Sequence, residues 1–265
     1  MKPSEHKKMF FYLEETWPKG LLDFLDEKSS ILRGYEEHEN QTYDDELSMS
    51  MMPENPFFKE REEILEQINI LLQSEQLVGW HCTKLTVGEI HKIQRLGMCL
   101  PSLKFLKERI SNLVNEGVIS PKYGENLKIN NWANEKYRKE MIWFCFFHPK
   151  LAGQSGIENF FRYWGGEALY RLHQENTETG SALMSVGTPC LIEAEVPISS
   201  LSLIFFAEKI ARLYLVNRGL ETSEDIKYED RSLLPIPPNN ILRVIEFGHD
   251  DFISLTGCDQ WHPSL

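Results

Sequence analysis

Two polar side chains, His81 and Thr83, stand one residue apart inside an otherwise apolar run in the stretch GWHCTKLTVGEIHKIQRLGMCLPS, residues 79–102. Alternate residues of a strand share a face, so a strand here turns both the same way. They are either polar core residues or hydrogen-bonding groups aimed into a site for a polar ligand. Metal chemistry has weaker support, because the eight histidines are scattered without ligand spacing. The five cysteines are odd in number and include no CxxC pair, which argues against a disulfide framework and for reduced thiols filling the core. The sequence holds no G-x-G-x-x-G, P-loop, HExxH or G-x-S-x-G.

The elements around the pair read clearly. Residues 76–82, QLVGWHC, form a short apolar run. Thr86 and Glu89 make a capping box, and Val87, Ile90, Ile93 and Leu96 then form the buried stripe of a helix closed by Gly97. A second amphipathic helix follows in SLKFLKERISNLVNEG, closed by Gly117. The apolar run MIWFCFF, residues 141–147, predicts a strand buried on both faces. The aromatic segment GIENFFRYWGGEALYRLHQ suits a helix, but Gly165-Gly166 predicts a break or a close approach. PCLIEAEVPISSL reads as a strand, SLSLIFFAEKIARLYLVNRG as a helix ending at Gly219, and RSLLPIPPNNILRVIEF as two short strands around Pro237-Pro238. Before all of these, residues 1–75 read as helices and loops. A helical pattern broken by Pro18 and Gly34 leads to an acidic, Met-rich loop over 39–56, then to a helix carrying Ile64, Leu65, Ile68, Leu71 and Leu72. The order mixes strands and helices without a repeated βαβ unit, which predicts an α+β fold.

A length of 265 residues allows one substantial domain with an appendage, or two small ones. The boundary expected here separates an acidic helical N-terminal extension, 1–75, from a domain over 76–265. Charge supports that division. Residues 1–75 hold 18 acidic and 8 basic side chains, a net of −10 within the chain's −12, whereas residues 84–150 carry 12 basic and 6 acidic. The average would disfavour nucleic acid, but the distribution leaves it open. No apolar run is long enough to cross a bilayer, and the N-terminus lacks the build of a secretory signal, so a cytoplasmic location without membrane contact is expected.

Taken together, WHCT, the following helix and the phrase IQRLGMCLP resemble the opening of the ADP-ribosyltransferase fold in its histidine-type, H-x-T branch. The aromatic stretch WFCFF…FFRYWGGEALYR stands where that family places aromatics around nicotinamide. The closing PIPPNNILRVIEF is similar to the I-P-P-E-x-I strand of several bacterial members. The resemblance covers about residues 76–247. It implies a split mixed or antiparallel β core with flanking helices and an enzyme that uses NAD as substrate. Under it His81, counted with Glu229 among the catalytic residues, would bond the adenosine ribose of NAD, Thr83 would assist with a neighbouring ribose or amide group, and Tyr163 or Tyr170 would stack on the pyridine ring. Glu229, chosen over Glu221, Glu224, Asp225 and Asp230, would be the catalytic carboxylate. It would favour the positive charge that develops as the nicotinamide bond breaks. Cys82 stands where other members favour Gly. No Glu-x-Glu or Gln-x-Glu precedes the last strands, which weakens arginine as the acceptor.

These features predict an NAD-dependent ADP-ribosyltransferase similar to bacterial toxin or phage-defence enzymes. It would act on a macromolecular acceptor, nucleic acid (RNA or DNA) ahead of protein, with a neutralising protein partner as a further expectation. A non-enzymatic interaction protein, such as an antitoxin or regulatory subunit using the aromatic-rich surface, is the alternative. An RNA 2′-phosphotransferase-like enzyme is a weaker third reading, since the early arginine and serine it wants are not in place.

Overall fold

Periodicity in the sequence becomes ten helices and five strands among the residues that the computed structural model describes, 8–44, 54–222 and 226–265, the side chains of 41–44 excepted. Part of the acidic loop expected over 39–56, and the candidate acids Glu224 and Asp225, lie outside the described residues. The chain begins with α1 (Lys19–Asp44), α2 (Phe58–Leu72), β1 (Gln76–Leu85), α3 (Val87–Leu96), α4 (Leu103–Asn115) and α5 (Pro121–Ile129). It continues through β2 (Ile142–Cys145), α6 (Gln154–Arg162), α7 (Glu167–His173), α8 (Thr177–Ser185) and β3 (Thr188–Pro197). It ends with α9 (Phe206–Val216), β4 (Glu229–Ser232), β5 (Ile241–Glu246) and α10 (Asp250–Thr256). The fold is α+β, as expected. The contacts divide it into two compact units.

The first unit comprises the described residues of Met1–Leu77 with Pro197–Ser199 and Leu203–Tyr228. The sequence predicts a boundary between 75 and 76. The contacts draw it after Leu77 and add the α9 segment to the first unit. Leu21, Leu25, Ile64, Ile68, Phe206 and Ile210 are all buried in it, and α1, α2 and α9 pack on one another. Gly34 does not break α1 as expected. A Cβ at Gly34 would lie 2.7 Å from the Phe57 ring, so the glycine lets that ring close against an unbroken helix.

The second unit comprises Val78–Val196, Ser200–Ser202 and Glu229–Leu265. Its strands form an open five-stranded antiparallel sheet in the order β4-β2-β1-β3-β5. β1, the strand bearing His81 and Thr83, is therefore central. It meets β2 with Trp80 opposite Cys145, and β2 meets β4 with Cys145 opposite Glu229 and Trp143 opposite Arg231. The expected capping box is present: the Thr86 hydroxyl accepts from Glu89 N and the Glu89 carboxylate accepts from Thr86 N. The predicted stripe of α3 holds less well, since Ile90 is buried but Val87 and Leu96, in the end turns, are exposed. β2 is shorter than the run 141–147 and is not buried on both faces: Trp143 points outward. Gly165 (φ 90°) and Gly166 (φ 63°) separate α6 from α7, as the glycine pair predicts. The closing strands are followed by α10, an element beyond those the sequence predicts.

Candidate functional site at the His81 strand

His81, Cys82 and Thr83 are all half-buried on β1, although the strand is the centre of the sheet. The His81 Nδ1 lies 2.8 Å from the Trp143 carbonyl oxygen. A carbonyl only accepts, so Nδ1 carries the hydrogen and a neutral ring leaves its lone pair on Nε2. Burial pulls the His81 pKa below its ordinary value, and the Arg109 charge adds to that against the hydrogen bond to Trp143. The ring is thus held neutral. Neither Nε2 nor the Thr83 hydroxyl has a hydrogen-bond partner among the described residues. Two acceptor-capable groups thus stand on one strand face.

A charged cluster supports this face from α3 and α4. The Arg109 Nε donates to Glu89 Oε1 at 2.6 Å, and the Trp164 indole N–H donates to Glu89 Oε2 at 2.9 Å. The guanidinium lies 4.4 Å from the centroid of the Trp164 ring. Burial pushes the Glu89 carboxyl up, but the Arg109 charge and the bonds from Arg109, Thr86 and Trp164 outweigh it and hold the group below its usual range. Glu89 therefore caps α3 and anchors Arg109 at once. Only the capping role had a signal in the sequence, because Arg109 and Trp164 lie 20 and 75 residues away.

The other candidates are not gathered around His81. Tyr163 and Tyr170 pair with each other, ring centroids 6.0 Å apart, and no hydrogen bond or ring contact joins either to His81 or Thr83 among the described residues. Tyr170 is buried and donates to Glu167 Oε1 at 3.1 Å. Burial and the Glu167 charge push its pKa up to about 12, so it stays a committed donor. Glu229 sits opposite Cys145, which sits opposite Trp80. Facing partners in an antiparallel ladder share a pleat, so Glu229 lies on the side of Trp80 and Cys82. His81 lies on the other side, with Phe144, whose ring is 6.0 Å from the imidazole. The Cys145 thiol, burial and the Glu229 charge together push the Cys82 thiol up, so Cys82 is a poor nucleophile. Asp230 does share the His81 pleat, but it is buried and its Oδ1 accepts from Arg231 N at 2.7 Å and from the Ser202 hydroxyl. Glu221 is exposed.

The pleat thus brings His81 and Thr83 together, as expected, and separates both from Glu229. Among the described residues no group of three or more His, Cys, Asp or Glu could hold a metal ion, and no helix is long and apolar enough to cross a membrane. Comparison with protein-family models, with curated proteins and with solved structures finds no match to this chain.

Proposed function

We propose that the chain binds NAD on the His81 face of β1 and transfers its ADP-ribose to a macromolecular acceptor, nucleic acid ahead of protein, releasing nicotinamide. The observation that carries this reading is the neutral His81 ring: Nδ1 is fixed on the Trp143 carbonyl and Nε2 is presented without a partner. Such a nitrogen accepts from a ribose hydroxyl and would repel no proton donor. The Thr83 hydroxyl on the same face supplies a second, softer contact. Transfer breaks the bond between nicotinamide and the ribose C1 and develops positive charge there, which a carboxylate favours. The resemblance gives that task to Glu229, since Asp230 is buried and engaged, but Glu229 stands on the opposite pleat from His81 and would have to reach the ribose from outside the NAD face.

The pleat placement of Glu229 favours a second reading, a non-enzymatic interaction protein that binds without turnover. The test is labelled-NAD turnover by the full chain with cellular RNA, DNA and protein offered separately, beside His81→Ala and Glu229→Gln. Label on one pool, lost in both variants, supports transfer and names the acceptor. NAD binding by calorimetry without turnover keeps the NAD site and overturns the transfer. Absence of both sinks the transferase reading and leaves the interaction protein standing.

A further inference from the structure

The outward pleat of β2 and β4 carries a set of side chains that the NAD reading leaves without work. Trp143, at 40% exposure, faces out of the sheet directly opposite Arg231. The Arg231 guanidinium lies 5.1 Å from the centroid of the indole. The indole N–H donates to the Tyr137 carbonyl oxygen at 3.3 Å, which ties the edge of the ring. Tyr137 itself is 65% exposed, and the Lys136 ammonium lies 5.5 Å from its ring centroid.

Single exposed aromatic rings are ordinary on a protein surface, and it is the charge beside these two that sets them apart. Here two of them are each accompanied by a cation, and neither cation is spent on a carboxylate. Among the described residues Arg231 and Lys136 make no ion pair, and the buried Arg231 Nε has no hydrogen-bond partner. A buried guanidinium N–H left unpaired costs about 1–3 kcal/mol. The arrangement is stacking surface plus uncommitted positive charge. Proteins that hold single-stranded nucleic acid combine those two features, with bases on aromatic planes and phosphates on cations. A duplex keeps its bases stacked on one another and gains nothing from the rings.

We infer that Trp143, Tyr137, Arg231 and Lys136 form a platform for a single-stranded nucleic acid. Trp143 and Tyr137 stack on bases, and Arg231 and Lys136 meet the phosphates. Glu229 lies on the same pleat, two residues along β4 from Arg231, so a strand held on Trp143 passes beside that carboxylate. The inference names the acceptor class of the proposed transfer and rests on that reading for its purpose. Binding is therefore measured without NAD, so that either can fail alone.

The experiment is fluorescence anisotropy of the full chain with a labelled 12-nucleotide single-stranded RNA and its DNA counterpart, across a salt series, with the matching duplex as competitor. The single strand should bind and the duplex compete poorly. Trp143→Ala should weaken binding about tenfold or more with an unchanged salt slope, while Trp143→Phe stays within a few-fold of the parent. Arg231→Ala should weaken binding and reduce the salt slope by about 0.7, the value for one lost phosphate contact on a single strand. Circular dichroism confirms that each variant is folded. Wild-type affinity in Trp143→Ala, equal affinity for duplex, or no binding of either strand overturns the platform. None of those results bears on NAD turnover, which is read in the separate assay.

Discussion

A neutral imidazole is a pH-dependent device, and His81 has one clear sign. Its folded pKa lies below the ordinary 6.5, through burial first and then the Arg109 charge. The unfolded chain therefore binds more protons than the folded one as pH falls below about 6.5, and stability drops there. The contribution is fully present above pH 6.5 and is lost as pH falls towards the folded pKa. Ligand binding follows the same limb, because protonation of Nε2 removes the acceptor. NAD affinity should stay flat from pH 8 to about 6.5 and decline only at lower pH. His81→Ala should lower it roughly tenfold at neutral pH, the worth of one hydrogen bond to a neutral group. An imidazole NMR titration with a midpoint at or above 6.5 would overturn this account. The residue scale also shows where sequence logic succeeds and stops. Alternation on a strand was enough to pair His81 with Thr83. It could not relate either to Glu229, because the relative pleat of β1 and β4 passes through β2, and register between strands is set by tertiary packing.

Elements whose stop and start signals are local were legible: the Thr86–Glu89 box, the Gly97 end of α3, the Gly165-Gly166 break and the helix over 58–72. Elements were missed or misjudged where a distant contact decides the outcome. Gly34 stays helical because Phe57 needs its space, and Trp143 turns outward in a run whose apolarity suggested burial. Lys84 belongs to the same class. It is buried on β1, its ammonium donates to the Arg162 carbonyl at 3.1 Å and to the Met184 carbonyl, and burial lowers its pKa. Arg162 is the last residue of α6 and Met184 the next to last of α8. Both carbonyls are among those a helix cannot satisfy internally, and both stand at the negative end of a helix dipole. One cation thus ties two helix ends across the Gly165-Gly166 break. Lys84→Met keeps the apolar stem and removes the donors. It should cost about 2–3 kcal/mol, the range for hydrogen bonds to a charged group, and speed amide exchange at the C-terminal turns of α6 and α8. Calorimetry with hydrogen exchange checks it, and unchanged exchange at both turns would refute the clamp.

At the scale of the whole molecule, charge and packing explain why the acidic front of the chain joins with a distant helix. α1 and the turn before it are rich in acids, and α9 with the residues just after it returns the matching cations. Arg212 pairs with Glu36 at 3.1 Å and with Glu208 at 3.6 Å, and Arg218 pairs with Glu14 at 2.9 Å. The Tyr214 hydroxyl donates to Asp26 at 2.6 Å. Glu36 and Arg212 are largely shielded from water, so breaking that pair by removing one partner should cost on the order of 3 kcal/mol. Phe206, Ile210 and Tyr214 of α9 are buried in the same unit. A fragment starting at Gln76 would keep every strand yet leave that apolar face and Arg212 bare. Such a fragment should express as aggregate, or bind a hydrophobic dye strongly with α9 amides exchanging freely. Co-expression of residues 1–75 as a separate chain should restore solubility and slow exchange in α9. A soluble fragment with protected α9 amides would show instead that the front segment is a detachable extension, as its composition alone suggests.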